Sequence, residues 1–320
     1  MTLTLRIGTR PSRLAIAQAT LVRNLLAQRL KGAAVELIPI RTAGDATSRG
    51  LPAAGGVKGL FVKELEQALH DRAIDLAVHS MKDLPAALYQ EFRVVAVPAR
   101  EDARDTLVLG RATSLEGLPA GARVGTASPR RRLALLRLRP DLDVSEVRGN
   151  VDTRLARLAA GEFDALALAL AGLKRLGLAR GLRLNPLDPQ EVVPCGGQGA
   201  LAIEALARQP VAGSTAVEEA VAGLADPGAV LETGAERSLL AALGAGCTTP
   251  LGVYARFDGR TLAMRAMLFS LDGRQTLADR LDEPALQPSL APAGNFAEAA
   301  GRRLAQRMLA RGAAALMEPP

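Results

Sequence analysis

The chain has 320 residues, a formal net charge of +7, 48% hydrophobic residues and 2% aromatic residues, with no Trp. That apolar fraction supports a sizeable core and argues against disorder, while the scarcity of aromatics leaves few platforms for stacking on single-stranded nucleic acid. Cys195 and Cys247 are too few for a disulfide framework, and His70 and His79 show no metal-ligand spacing.

In chain order, Leu3, Leu5 and Ile7 alternate with polar neighbours, which predicts a first strand. The turn 8-GTRPSR-13 follows. Pro11 suits a first helical turn, and Leu14, Ala17, Leu21 and Leu25 stand at helical spacing. Residues 35-VELIPI-40 predict a short strand, and 43-AGDATSRGLPAAGGVKG-59 a long loop of Gly and small residues. A helix carrying Leu60, Leu65, Ala68 and Leu69 leads into the apolar run 74-IDLAV-78, and 93-RVVAVP-98 is another such run. Strands alternating with helices predict a parallel sheet covered on both faces.

The second half repeats this order. The stretch 123-RVGTASPRRRLALL-136 parallels 6-RIGTRPSRLAIA-17, and 164-DALALALAGLKRL-176 parallels 75-DLAVHSMKDL-84. The glycines of 194-PCGGQGALAIEAL-206 mark a return crossing. Beyond about residue 226 come a helix (Leu231 to Leu243), three strands joined at Asp258-Gly259 and Asp272-Gly273, and a last helix from about Asn295 to Ala310. The expected fold class is α/β, with two similar doubly wound lobes and a C-terminal α+β domain built on a small antiparallel sheet. The expected borders are 1–98 with about 198–220, then 99–197, then 221–320.

In open parallel sheets, ligands bind beyond the carboxyl ends of the strands. Basic turns fall at such ends: Arg10 with Ser12, Lys82 with Asp83, Arg130 and Arg131 with Ser128, and Arg148 leading into Arg154. In a two-lobed arrangement these ends would face one cleft, and several guanidinium forks there suit several carboxylates. Taken singly, each Arg is more often a solvated surface residue; the joint placement of all four turns favours the cleft. The lysines are only Lys31, Lys58, Lys63, Lys82 and Lys174, and an Arg-rich genome composition accounts for that bias as readily as anion recognition does.

Asp83, in 79-HSMKDLP-85, is the lone carboxylate among these turns, and neighbouring cations keep it ionised. It reads either as a salt-bridge partner or cap, or as a fixed anion that stabilises a cationic intermediate or moves a proton. Cys247, in 244-GAGCTTPLG-252, has small neighbours that leave room for a bulky attachment; a plain small loop residue fits as well. Cys195, beside Gly196 and Gly197, reads the same way. No zinc-finger spacing or basic heptad segment is present. No apolar run approaches the roughly 20 residues of a membrane span, and MTLTLRIGTR lacks the build of a signal peptide. A cytoplasmic protein without nucleic-acid or membrane partners is expected.

At these residues the sequence resembles the porphobilinogen deaminase family over nearly the whole chain. The shared motifs are GTRxS (Arg10, Ser12), KGLFVKELE (Lys58 to Glu66), AVHSMKDLP (Ala77 to Pro85), REDARD (Arg100 to Asp105), GTxSxRR (Gly125 to Arg131), RGNVxTRL (Arg148 to Leu155), AGLKRLG (Ala171 to Gly177), GQGA (Gly197 to Ala200) and the GxC loop at Cys247. The resemblance implies lobes like those of type II periplasmic binding proteins. It implies a transferase of tetrapyrrole (heme and porphyrin) biosynthesis, a hydroxymethylbilane synthase. Such an enzyme joins four porphobilinogen molecules head to tail and releases four ammonia.

The resemblance also implies a dipyrromethane cofactor, attached to Cys247 by a thioether, and a catalytic Asp83. Cofactor contacts would fall on Lys82, Ser128, Arg130, Arg131 and Arg148, and substrate contacts on Arg10, Ser12, Arg148, Arg154 and Arg175. Ser80 and Thr126 belong to the same surface, Lys58 to a flexible loop, and no metal or role for Cys195 is implied. The growing polypyrrole chain is a polyanion of acetates and propionates, which suits an Arg-rich cleft. Loss of ammonia gives an azafulvene cation that the terminal pyrrole attacks, and Asp83 would stabilise that charge. The expected enzyme is a monomer that hands its product to uroporphyrinogen-III synthase. The sequence departs from the family at 55-GGVK-58, where Val57 stands in place of a glycine and takes positive φ less readily. The rival reading is a non-catalytic, two-lobed anion-binding or effector-sensing protein; a nucleic-acid binder rests on charge alone.

Overall fold

The computed structural model describes residues 3–43, 62–246, 248–284 and 293–318. Lys58, Val57, Leu60 and Cys247 lie outside the described residues, as does most of the 43–59 loop. The chain divides into two compact units, Met1–Glu101 with Ala200–Val230, and Asp102–Gly199 with Leu231–Pro320.

The first unit opens with β1 (Thr4–Thr9), α1 (Arg13–Arg29), β2 (Ala34–Pro39), α2 (Lys63–His70), β3 (Leu76–Ser80) and β4 (Phe92–Ala96). The second holds β5 (Asp105–Leu109), β6 (Arg123–Gly125), α3 (Pro129–Leu138), β7 (Asp143–Ser145), α4 (Val151–Ala159), β8 (Ala165–Ala169), α5 (Leu170–Arg175) and β9 (Arg183–Pro186). The chain returns to the first unit with β10 (Leu201–Leu206) and α6 (Thr215–Ala222). It continues through α7 (Pro227–Ala242), β11 (Leu251–Phe257), β12 (Thr261–Phe269), β13 (Thr276–Pro284), α8 (Ala293–Ala310) and α9 (Ala313–Met317).

The strand orders are β2-β1-β3-β10-β4 and β7-β6-β8-β5-β9, the same pattern twice. The sheets are mixed, not wholly parallel as expected. β1 is parallel to β2 and β3, while β10 is antiparallel to β3 and β4. Likewise β6 is parallel to β7 and β8, while β5 is antiparallel to β8 and β9. Neither β5 nor β10 is preceded by a crossover helix in its own sheet, so the βαβ constraint that enforces parallel pairing does not reach them.

In the first unit, Leu5, Ile7, Leu76, Val78 and Ile203 pack with Ala19, Val22 and Leu26 of α1 and Val217 and Val221 of α6. Leu65 and Leu69 of α2 pack with Ile74, Ala77 and Phe92 in a separate cluster. The expected face of α1 is wrong. Its buried residues are Ala15, Gln18, Ala19, Val22 and Leu26, and Leu21 is exposed. Two apolar rows run side by side on this helix, and the one with small alanines lets it approach the sheet and put Gln18 against Ser80. Pro11 lies ahead of the helix instead of in its first turn, because Ser12 is the N-cap and accepts from the Ala15 N–H at 3.3 Å.

In the second unit, Leu107, Val124, Leu135, Ala165 and Ala167 pack with Met267 and Phe269 of β12. The strands β11, β12 and β13 form the expected antiparallel sheet. Gly259 (φ +96°) and Gly273 (φ +76°) supply the left-handed turn residues. Leu231, Ala235 and Leu239 of α7 share one core with Ala297, Ala300 and Leu304 of α8. Gly301 makes that closeness possible: a Cβ there would collide with the Ala235 carbonyl oxygen and stand 2.8 Å from Ser238 Cβ. Gly301→Ala is therefore expected to cost about 1–3 kcal/mol by overpacking. Urea unfolding reads this directly, and an unchanged midpoint would mean that the helices part without strain.

Candidate functional site

In the first unit, β1 and β3 run parallel, so their carboxyl ends share one edge of the sheet. Arg10 and Ser12 follow β1, and Lys82 and Asp83 sit in a single 3-10 turn, Met81–Asp83, directly after β3. That turn is pinned from below. Gln18 Nε2 donates to Ser80 Oγ at 2.9 Å, the Met81 N–H donates to the Ala200 carbonyl at 3.0 Å, and Met81 and Leu84 are buried. Lys82 and Asp83 are half-buried between those two anchors. Among the described residues, no group hydrogen-bonds or ion-pairs with the Asp83 carboxylate. Neither a salt bridge to Lys82 nor a capping role accounts for it, since Ser80 holds the cap position.

In the second unit, the turn after β6 is built on hydroxyls. Thr126 Oγ1 accepts from the Ser128 N–H at 3.2 Å, and Ser128 Oγ caps α3 by accepting from the Arg131 N–H. Pro129 stands in the first turn of that helix. Arg130 and Arg131 are buried, and both reach Asp105, the first residue of β5. Arg130 Nη1 lies 2.6 Å from Oδ2 and Arg131 Nε 2.7 Å from Oδ1. Gln198 Nε2 donates to the same Oδ1 at 2.8 Å, and its Oε1 accepts from Arg131 Nη2 at 3.0 Å. Burial alone would push the Asp105 carboxyl up, but the charges and hydrogen bonds of the two arginines outweigh it and hold it well below the usual range. Arg130 Nε is buried with no hydrogen-bond partner among the described residues. Cys195 is half-buried at the margin of this network, its thiol 3.6 Å from Gln198 Oε1.

Arg148, after β7, is exposed and pairs through Nε with Glu146 at 2.7 Å. Gly149 adopts φ +105°, and its carbonyl accepts from Arg154 Nε at 2.8 Å. Asn150 caps α4 by accepting from the Thr153 N–H at 2.9 Å. Arg154 is half-buried; burial lowers its pKa, and the nearby Arg131 charge lowers it further. No carboxylate pairs with Arg154 among the described residues. Arg175, at the end of α5, donates through Nη2 to the Gly199 carbonyl at 2.6 Å. The structure thus gathers Thr126, Ser128, Arg130, Arg131 and Arg154, while Arg148 and Arg175 engage partners of their own.

Asp105 and Gln198 carry no role in the sequence reading, yet Asp105 is the hub. A signal was present: Asp105 heads the fully buried strand 105-DTLVL-109, an acid set against a core strand much as Asp83 is. Nearby, Arg104 Nη2 meets Asp102 Oδ2 at 2.8 Å, with Lys174 Nζ at 3.5 Å. The Arg104 hydrogen bond, opposed by burial, brings the Asp102 carboxyl down to about 2. Among the described residues no cluster of His, Cys, Asp and Glu could hold a metal ion, and no helix is long and apolar enough to cross a membrane.

Comparison with known proteins places two family models on the chain. "Porphobilinogen deaminase, dipyromethane cofactor binding domain" matches residues 5–212, and "Porphobilinogen deaminase, C-terminal domain" matches residues 230–310. A porphobilinogen deaminase from Syntrophotalea carbinolica is 43% identical over 97% of this chain and 93% of its own length. One from Bordetella parapertussis is 44% identical over 98% of this chain and 95% of its own. Among solved structures, the alkanesulfonate-binding protein SsuA from Xanthomonas axonopodis pv. citri aligns at 20% identity and a TM-score of 0.39, covering 74% of this chain and 73% of that one.

Proposed function

The chain belongs to the porphobilinogen deaminase family, and from that premise we propose how its own residues serve the hydroxymethylbilane synthase reaction, a transferase step of porphyrin biosynthesis. The observation that carries the reading is an uncompensated charge. Among the described residues, Arg130 and Arg131 share one carboxylate, Asp105, and Arg154, close enough to feel the Arg131 charge, pairs with none. A buried or half-buried excess of positive charge is costly until an anion completes it.

Dipyrromethane fits that requirement, since its acetate and propionate groups are anions and the Arg130 Nε–H is a buried donor without an acceptor among the described residues. Cys247 would hold it covalently, with Lys82, Ser128, Arg130, Arg131 and Arg148 as its polar contacts. When bound, it supplies the pyrrole on which the product chain is extended. Arg10, Ser12, Arg148, Arg154 and Arg175 bind the carboxylates of porphobilinogen and of the growing chain. Lys58 contributes from its loop. The half-buried Asp83 carboxylate stands against the positive charge that develops on the pyrrole as ammonia departs, and it takes up or returns a proton there.

The three-domain division at 1–98 with about 198–220, 99–197 and 221–320 separates these roles, with Cys247 in the last domain. The enzyme works as a cytoplasmic monomer, and its linear tetrapyrrole passes to uroporphyrinogen-III synthase. Intact-mass spectrometry tests the core of this reading. The protein should carry the mass increment of a dipyrromethane, and Cys247→Ser should lack both the increment and turnover. An unmodified protein with full activity would overturn it.

A further inference from the structure

Three titratable groups that the reaction above does not use meet in the core of the first unit. His79 on β3 lies opposite Ala202 of β10, and Glu204 of β10 lies opposite Ala77, so His79 and Glu204 are diagonal neighbours on one face of the sheet. Their side chains are joined by a hydrogen bond of 3.0 Å between Nε2 and Oε2. Glu66 enters from α2, the helix whose Leu65 and Leu69 pack on Ala77. His79 is 5% exposed, Glu66 7% and Glu204 0%.

Oε1 of Glu66 and Oε1 of Glu204 have no hydrogen-bond partner among the described residues. Burial pushes the Glu66 carboxyl up to about 7, the charges of Glu204 and of Glu91, just before β4, add to the rise, and His79 opposes it. Glu64, on the same helix, turns one oxygen to the Ala43 N–H instead. Apolar residues of similar volume would hold this core with less desolvation. A hydrogen-bonded polar pair does something they do not: it fixes one register.

The register that matters is that of β3. His79 is followed by Ser80 and then by the turn that carries Lys82 and Asp83. The pairing of β3 with β10 runs up to Ser80 opposite Leu201, directly under that turn. We propose that His79 and Glu204, with Glu66 at their side, are positioning residues: they lock β3 against β10 and thereby set where the Asp83 carboxylate stands. This rests on the assignment of Asp83 to catalysis given above.

The test measures Glu204→Gln, His79→Gln, Glu66→Gln and Asp83→Asn side by side in the cofactor-bearing enzyme. Glu204→Gln and His79→Gln are expected to lower kcat about ten-fold or more, with KM within about two-fold of the unsubstituted enzyme and the covalent mass increment intact. The folded chain holds the Glu66 proton more tightly than the unfolded chain. Stability should therefore fall as pH rises from the usual glutamate range to about 7 and level off above it, and Glu66→Gln should remove that fall.

A structural role alone would lower the unfolding temperature without separating kcat from KM. A folded Glu204→Gln or His79→Gln with unaltered kcat overturns the inference, and so does failure of both to fold. A pH slope that persists in Glu66→Gln also counts against the cluster. An active Asp83→Asn would instead overturn the assignment of Asp83. An inactive Asp83→Asn beside a fully active Glu204→Gln would overturn this inference alone.

Discussion

Asp83→Asn is expected to cut kcat by about 10²–10³-fold while the covalent mass increment, the fold and KM stay close to their unsubstituted values. Asparagine keeps the size and the acceptor oxygen but removes the charge. At about 4 Å and an effective dielectric near 20, an anion and a developing cation attract by roughly 4 kcal/mol, and each 1.4 kcal/mol is a factor of ten in rate. The fold should be indifferent to the change because, among the described residues, no partner of the Asp83 carboxylate is lost. Steady-state turnover, intact mass and a thermal melt on one preparation are enough. A kcat within a few-fold of the unsubstituted enzyme would remove Asp83 from the chemistry.

Asp105→Asn should behave in the opposite way and strike stability first, by about 3–5 kcal/mol. Its carboxylate is fully buried and binds Arg130, Arg131 and Gln198. Without that charge, the guanidiniums of Arg130 and Arg131 are left buried with no protein carboxylate among the described residues. The pH dependence has a definite sign. The folded-state pKa of Asp105 is depressed, so its contribution is present above the ordinary aspartate value and is lost as pH falls below it. Urea unfolding of the two proteins should therefore differ most near neutrality and converge in strong acid. Asp102, brought down to about 2 by Arg104 against the opposing effect of burial, adds a limb of the same sign between the usual aspartate value and about 2. Equal midpoints for Asp105→Asn and the unsubstituted protein at pH 7 would show that the pair is not the hub described.

Much of the site was legible one turn at a time. Strand ends at Thr9, Ser80 and Gly125 follow from short apolar runs that stop at charged or Gly-Thr turns. These signals are local, because strand period is satisfied within a few residues. The face of α1 was misread because its two apolar rows satisfy helical spacing equally; contact with the sheet chose Ala15, Ala19 and Val22.

By itself, then, the sequence determined the repeated strand-turn-helix units at the start of each lobe, the hairpin turns at Gly259 and Gly273, and the motif order that identifies the family. Only the tertiary structure decided the antiparallel placing of β5 and β10, the pairing of Asp105 with arginines 25 and 26 residues away, and the meeting of His79 with Glu204 across 125 residues. The reason is physical. A buried charge must find its counter-charge wherever strand pairing brings one within hydrogen-bond reach, and no local period records that distance.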